Sequence, residues 1–469
     1  MSNSRKVVVI GAGPAGYVCA IRLAQLGQDV TVVEKHYLGG TCLNVGCIPS
    51  KALIAAGSLM TRIGRASAMG ITAENVRLDL RQLVEWKQGI VAKLTGGVRT
   101  LLEKNGVAVV MGSASFVDAR TVRVEGQGDE GERTLAADAV VIATGSVPIE
   151  IPGFEFDERQ VWSSTGALAP ERVPEHLVVI GAGYIGLELG IMYQMLGSRV
   201  TVIEATPGAL PGQDADCVQV ITRSLKKRKI ELLAETFARG WEAVDGGLEV
   251  RVEGRKGART IACDQILSTV GRRPYSDGLG LERIGLETGA GGFLSVDEHM
   301  LTAVPGVYAV GDIAGQPMLA HKGSKEGLVA AGVIAGRAEA YDARCVPAVV
   351  FTAPEIASVG LTEEQCRERG IDYRAGRFPF AASGRAMSLM ETEGFVKILA
   401  EAETDVILGV HMVGPEVSEL IAEAALAIEL GATAEDVART IHAHPTLPEA
   451  LMEAAESVHG TAVHIFEQK

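Results

Sequence analysis

The chain has 469 residues, 47% of them hydrophobic, which is enough for about three domains with ordinary buried cores. A net charge of −14 argues against a nucleic-acid or anionic-membrane surface, because those partners need basic patches. No charged segment and apolar run precede Val7, and Cys19, Cys217, Cys263, Cys345 and Cys366 are scattered without paired spacing; a reducing, cytoplasmic setting without zinc is expected.

The first predicted element is a strand, KVVVI, running into GAGPAG at residues 11–16. Gly11, Gly13 and Gly16 then open a helical run that stops near Gly27, and a second strand, DVTVVE, ends on Glu34. A lone GxGxxG is a weak signal. One that follows a strand, opens a helix and precedes an acidic residue is the dinucleotide fingerprint. The glycines allow a tight turn and let a pyrophosphate approach the helix N-terminus, while the acid accepts from the ribose hydroxyls.

Next comes GGTCLNVGCIPSK, residues 39–51, with Cys42 and Cys47 five positions apart. A structural disulfide, half of a metal site and a redox dithiol all compete for this pair. In a regular helix such residues lie roughly 8–9 Å apart at Cα, and a disulfide needs less than about 7 Å. Pairing therefore requires a distortion, which Gly46 is placed to allow. Pro49 suits a first helical turn, so regular helix is expected from about Ile48, with Cys47 at its positive end. A thiol there has a lowered pKa, and a strained five-residue clip constrains little chain, so both features favour turnover over stapling.

A strand ending in a small-residue turn, VVIATGS (140–146), looks like a flavin contact, with Thr144 and Gly145 as the candidate residues. The run 177–197 is long enough for a membrane span, but it carries Glu188 and five glycines and divides into strand, turn and helix. It is instead a second copy of the first device. HLVVIGAGYIG (176–186) supplies Gly181, Gly183 and Gly186, and RVTVIE ends on Glu204, 23 residues after the first glycine, as Glu34 does in the first copy. No Lys or Arg occurs from 205 to 222, so nothing local offers a cation to a 2′-phosphate, and NAD is expected over NADP. Glu188 sits in an otherwise apolar helix, where burial beside a cation is more plausible than a solvated carboxylate.

Gly271 is a further candidate cofactor contact. VYAVGDIAG (307–315) ends a strand on Gly311-Asp312, where a carboxylate can bind a polyol hydroxyl or simply cap a helix. AEAALAIELGATAEDVART (422–440) reads as helices. HAHPTLPEA (442–450) places His444 before a proline, with Glu449 able to orient its imidazole. His442 is the rival base.

These motifs together resemble the pyridine nucleotide–disulfide oxidoreductases over essentially the whole chain. The resemblance implies a glutathione-reductase-like α/β fold. An FAD domain would span 1–149, an NAD domain 150–270, and a central segment 271–338 completing the FAD site. A C-terminal α+β dimerisation domain would span 339–469. Cys47, nearer the flavin, would be the charge-transfer thiolate, and Cys42 would exchange with substrate. Lys51 and Glu188 would pair beside the flavin, Tyr184 would flank the nicotinamide pocket, and His444, its cis-proline turn and Glu449 would serve the partner's site in a homodimer. Branches that reduce mercuric ion add a C-terminal cysteine pair, absent from HGTAVHIFEQK; glutathione-reducing branches carry arginines after the second acid; transhydrogenase branches lack the second cysteine. Within the family the chain looks most like the branch that oxidises protein-bound dihydrolipoamide with NAD⁺, and that resemblance would imply the acyltransferase lipoyl domain of a 2-oxo-acid dehydrogenase complex as its partner. An NADH-dependent reductase of another disulfide, and a non-catalytic scaffold of such a complex, are the alternatives. The scaffold would be expected to lose the cysteines or His444, and all three are present.

Overall fold

A computed structural model describes residues 4–126, 131–255 and 257–466. Its first sheet has seven strands in the order 307–309, 139–142, 6–10, 29–34, 108–118, 121–126 and 132–136. The first five run parallel and the last two turn back as antiparallel ribbons. Parallel strands are covered on both faces and so read as unbroken apolar runs. Val7–Ile10 are accordingly at most 4% exposed. The helix Pro14–Gln25 follows the glycine turn, and Gly27 ends it at φ +80°.

A second, all-parallel sheet orders its strands 231–233, 199–203, 176–180, 265–268 and 161–162. The stretch weighed as a membrane span is here a buried strand, His176–Ile180, followed by the helix Tyr184–Met195. A three-stranded antiparallel sheet (236–244, 247–254, 257–263) flanks it. Among the described residues one run, 40–69, is long and apolar enough by length and composition to cross a membrane. It holds the two cysteines, is broken at Gly46, and its long helix packs against Tyr184–Met195.

The last sheet is antiparallel, ordered 348–350, 355–360, 407–414, 395–401 and 373–379. Helices Val417–Leu430 and Ala434–Arg439 fall where 422–440 is expected to be helical. The helix Glu449–Val458 closes over the strands Tyr373–Pro379 and Phe395–Glu401.

Candidate active site

The two glycine turns are built alike. A Cβ on Gly11 would lie 2.3 Å from the Ala143 carbonyl oxygen, and one on Gly16 would lie 2.0 Å from that of Gly11. Gly181 and Gly186 repeat this against Thr269 (2.6 Å) and Gly181 (2.1 Å). The chain's own packing thus demands the first and third glycines. The middle ones differ: Gly13 has nothing nearer than 3.9 Å, and Gly183 nothing within 4 Å. Only a ligand needs that space, which is the fit expected for a pyrophosphate at each helix N-terminus.

The acids match too. Glu34 accepts from the N–H of Ala12 (2.7 Å) and of His36 (2.7 Å), and Glu204 accepts from Ala182 (2.7 Å) and Thr206 (2.7 Å). Each carboxylate is pinned across its glycine turn with acceptor capacity left over for ribose hydroxyls.

A cavity of about 960 Å³ runs from the first turn to the cysteines. Gly11, Gly13, Glu34, Cys42, Cys47, Lys51, Thr144, Gly145, Tyr184, Glu188 and Asp312 all line it. Its glycine cradle, pinned acid and length suit FAD. Asp312 does not cap a helix: it accepts a hydrogen bond from the Ser146 hydroxyl, and the Arg272 guanidinium donates to that same hydroxyl (2.8 Å) and to the Ser146 carbonyl (2.6 Å). Sequence reasoning missed Arg272, one residue beyond Gly271. Gly271 itself, at φ +136°, is not among the described residues lining this cavity.

Between the cysteines the chain breaks into two helices, Gly40–Val45 and Cys47–Arg65. A Cβ on Gly46 would sit 2.8 Å from the Thr41 carbonyl oxygen and 3.2 Å from the Cys42 Cα, so only glycine lets the turns close this far. Both cysteines are free thiols here, and their side chains are hydrogen-bonded to one another. That bond lowers Cys47 to about 7, against burial, and the charge of Lys51 adds to the effect. The same bond, with burial, drives Cys42 upward. One sulfur is prepared as a thiolate while its neighbour holds its proton.

Lys51, one turn beyond Cys47, is joined to Glu188 at 2.7 Å. The glutamate side chain is 5% exposed, and its other oxygen accepts the Phe351 N–H (2.9 Å). The Phe351 ring lies 4.4 Å from the ammonium. The expected pairing of Glu188 with a cation is therefore present, and Phe351, just past the strand 348–350 of the last sheet, is a neighbour no motif announced. Tyr184 opens the second helix and faces the same cavity.

His444 and Glu449 are not among the described residues lining that cavity. They form a pair of their own, with His444 Nδ1 2.8 Å from Glu449 Oε1, and the second carboxylate oxygen takes the Thr446 N–H (2.7 Å). Burial works against the Glu449 carboxylate, but the Thr446 N–H and His444 hold it below the usual range. The His444–Pro445 peptide is cis, and the imidazole is exposed. His442 differs: its buried ring is held between Glu423 and the Thr440 carbonyl. No free edge is left for chemistry.

Residues 5–327 match the family model described as pyridine nucleotide-disulphide oxidoreductase, and residues 346–455 match that family's dimerisation domain. Dihydrolipoyl dehydrogenase of Geobacillus stearothermophilus is 51% identical over 460 residues, covering 98% of this chain and 97% of the relative. The Bacillus subtilis protein of the same name is 50% identical over 459 residues, with the same coverages. Among solved structures, LpdA from Mycobacterium tuberculosis superposes with a TM-score of 0.90 at 31% identity, covering 96% of this chain and 99% of that one.

Proposed function

The chain belongs to the pyridine nucleotide–disulphide oxidoreductase family, and from that membership we propose that it oxidises protein-bound dihydrolipoamide to lipoamide while reducing NAD⁺. The observation that carries this is the thiol pair: a depressed Cys47 held by Cys42 on one wall of a dinucleotide-shaped cavity, beside the Lys51–Glu188 pair. FAD, when bound, supplies the two-electron relay between the dithiol and NAD⁺. Gly11, Gly13, Glu34, Thr144, Gly145 and Asp312 hold it. Gly181, Gly183, Gly186 and Glu204 hold NAD, with Gly271 at the second turn's margin.

The protein's own residues do the following. His444 Nε2 takes the proton from a dihydrolipoyl thiol, and Glu449 keeps the proton on Nδ1 so that Nε2 faces the thiol. The resulting thiolate attacks Cys42 Sγ of the oxidised pair; the Cys42–Cys47 bond breaks, and Cys47 leaves as the thiolate its surroundings favour. The second lipoyl thiol then displaces Cys42, closing the lipoyl disulfide and leaving two reduced cysteines. Lys51 balances charge beside Cys47, and Glu188 fixes Lys51. His444 acts on the partner's cysteines within a homodimer, a reading supported by its separation from this chain's cavity and by the dimerisation-domain match. The donor is the lipoyl domain of an acyltransferase in a cytoplasmic 2-oxo-acid dehydrogenase complex. The functional units are 1–149, 150–270, 271–338 and 339–469.

A dihydrolipoamide/NAD⁺ assay on the flavin-loaded protein tests this directly. Turnover within the ordinary enzymic range of about 1–1000 s⁻¹ is expected. If dihydrolipoamide fails while NADH-driven reduction of another disulfide proceeds, the substrate assignment is wrong.

A further inference from the structure

The helix Ala320–Ile334 carries an ion pair that the proposed reaction does not use. Lys322 Nζ lies 2.7 Å from Glu326 Oε1, and the two side chains are 7% and 5% exposed. Each has a second partner, and both partners lie in the turn that follows the strand Val307–Ala309. The other Glu326 oxygen accepts the Gly311 N–H (2.7 Å), and the Lys322 ammonium donates to the Gly315 carbonyl (3.1 Å). Between these two tethers sits Asp312, whose carboxylate accepts from the Ser146 hydroxyl and lines the large cavity.

Stability alone does not explain such a pair. Desolvating two charges offsets most of their attraction, so a buried ion pair usually does no more for a fold than an apolar pair of the same volume. Burial raises the Glu326 carboxyl above its usual range even with the lysine beside it. What an apolar pair cannot do is accept from one end of a turn and donate to the other. The same helix is also seated directly on that turn: a Cβ on Gly323 would lie 3.0 Å from the Gly311 Cα. Leu319, Ala320 and Gly323 line the cavity beside Asp312. Helix start and turn therefore form one wall, and the ion pair locks them together.

We propose that Lys322 and Glu326 are positioning residues for FAD, which fix both ends of the turn 311–315 so that Asp312 meets a polyol hydroxyl already in place. This rests on the reading of Asp312 as an FAD contact. Without the tethers the turn samples other arrangements, and FAD must order it on binding. Affinity then falls by the fraction of protein in the competent arrangement.

The test is the dissociation constant of FAD, read from flavin fluorescence on titrating the FAD-stripped full-length protein. The variants are Lys322→Met/Glu326→Gln, Lys322→Met/Glu326→Leu, Asp312→Ala, and Asp312→Ala combined with each pair. The glutamine pair keeps an acceptor for the Gly311 N–H and loses only the Gly315 tether; the leucine pair loses both. Each lost tether should raise the dissociation constant by about two- to tenfold, the change that corresponds to one intramolecular hydrogen bond. Added to Asp312→Ala, either pair should cost little more, because the residue it positions is already gone. That non-additivity is what general loosening of the core would not produce, and the glutamine pair carries the cycle alone if the leucine pair fails to fold. Pair variants that bind FAD like wild type, while Asp312→Ala binds weakly, overturn the inference and leave the flavin site intact. Full additivity with Asp312→Ala overturns it as well, since the pair then acts by a route other than the turn. Wild-type affinity in Asp312→Ala removes the reading of Asp312, and this inference falls with it.

Discussion

Cys47 is the residue on which the chemistry turns. A thiol at about 7 is roughly half ionised at neutral pH, where an ordinary cysteine is mostly protonated. The hydrogen bond from Cys42 is the largest contributor, so Cys42→Ala should raise the Cys47 titration. Alkylation of the reduced protein by iodoacetamide across pH reads this: an inflection near 7 in wild type, and a higher one in the variant. An unmoved inflection means that Lys51 and the helix start alone set the thiolate. With FAD bound, two-electron reduction should produce a long-wavelength absorption band that disappears in Cys47→Ser; plain bleaching in wild type would remove the dithiol assignment. Glu204 belongs to the same scale. Pinned by Ala182 and Thr206 and proposed as the ribose ligand, it would set a carboxylate against a 2′-phosphate. The ratio of kcat/KM values should favour NAD over NADP by tenfold or more, and equal values would contradict its role as a ribose ligand.

At the level of the element, the glycine turns separate what the chain needs from what a ligand needs. Gly16→Ala pushes a methyl group onto the Gly11 carbonyl, where no side chain can give way. It should cost about 1–3 kcal/mol of stability, the usual range for overpacking a tight site, seen as a lowered denaturant midpoint. Gly13→Ala meets nothing closer than 3.9 Å and should leave the apoprotein's midpoint unchanged while weakening FAD. Gly183→Ala should likewise raise KM for NAD⁺ with the fold intact. If Gly13→Ala unfolds the apoprotein, the middle glycine serves packing after all, and the cradle loses its main support.

Over the whole molecule, two kinds of junction matter. Within one chain, Lys397 of the last sheet is 4% exposed and bonded to Asp214 and Asp216, at the start of the helix Ala215–Lys227, and to Glu363, each at 2.8 Å. Removing the cation strands the buried Asp214 carboxylate, so Lys397→Met should destabilise by about 3–5 kcal/mol in denaturant titration. Between chains, the proposed site needs cysteines from one copy and His444 from the other. Cys47→Ser and His444→Gln homodimers should both be nearly inactive. A doubly tagged mixed dimer collects both lesions in one site and leaves the other intact, so activity should return to about half of wild type. A mixed dimer no more active than the better parent would place the base within its own chain, or elsewhere.

The strands, glycine turns and acids of both nucleotide devices were legible in the sequence because each lies within about 30 residues and its geometry is dictated by local sterics. The break at Gly46 between the cysteines was legible for the same reason. Partners drawn from remote segments were not legible from the residues alone. They marked Glu188 as a buried carboxylate in need of a cation, and the family resemblance supplied Lys51; packing of the Cys47–Arg65 helix against Tyr184–Met195 is what joins the two across 137 positions. Asp312 was expected to bind a polyol hydroxyl, with a helix cap as the alternative; its actual neighbours, Ser146 and Arg272, were set by the fold. His442 and His444 are two residues apart and alike in type; the fold buries one against Glu423 and leaves the other exposed on Glu449. Residue type and short spacing carry the local devices, whereas pairings across the chain depend on how separately formed layers dock, and that is decided by the tertiary structure.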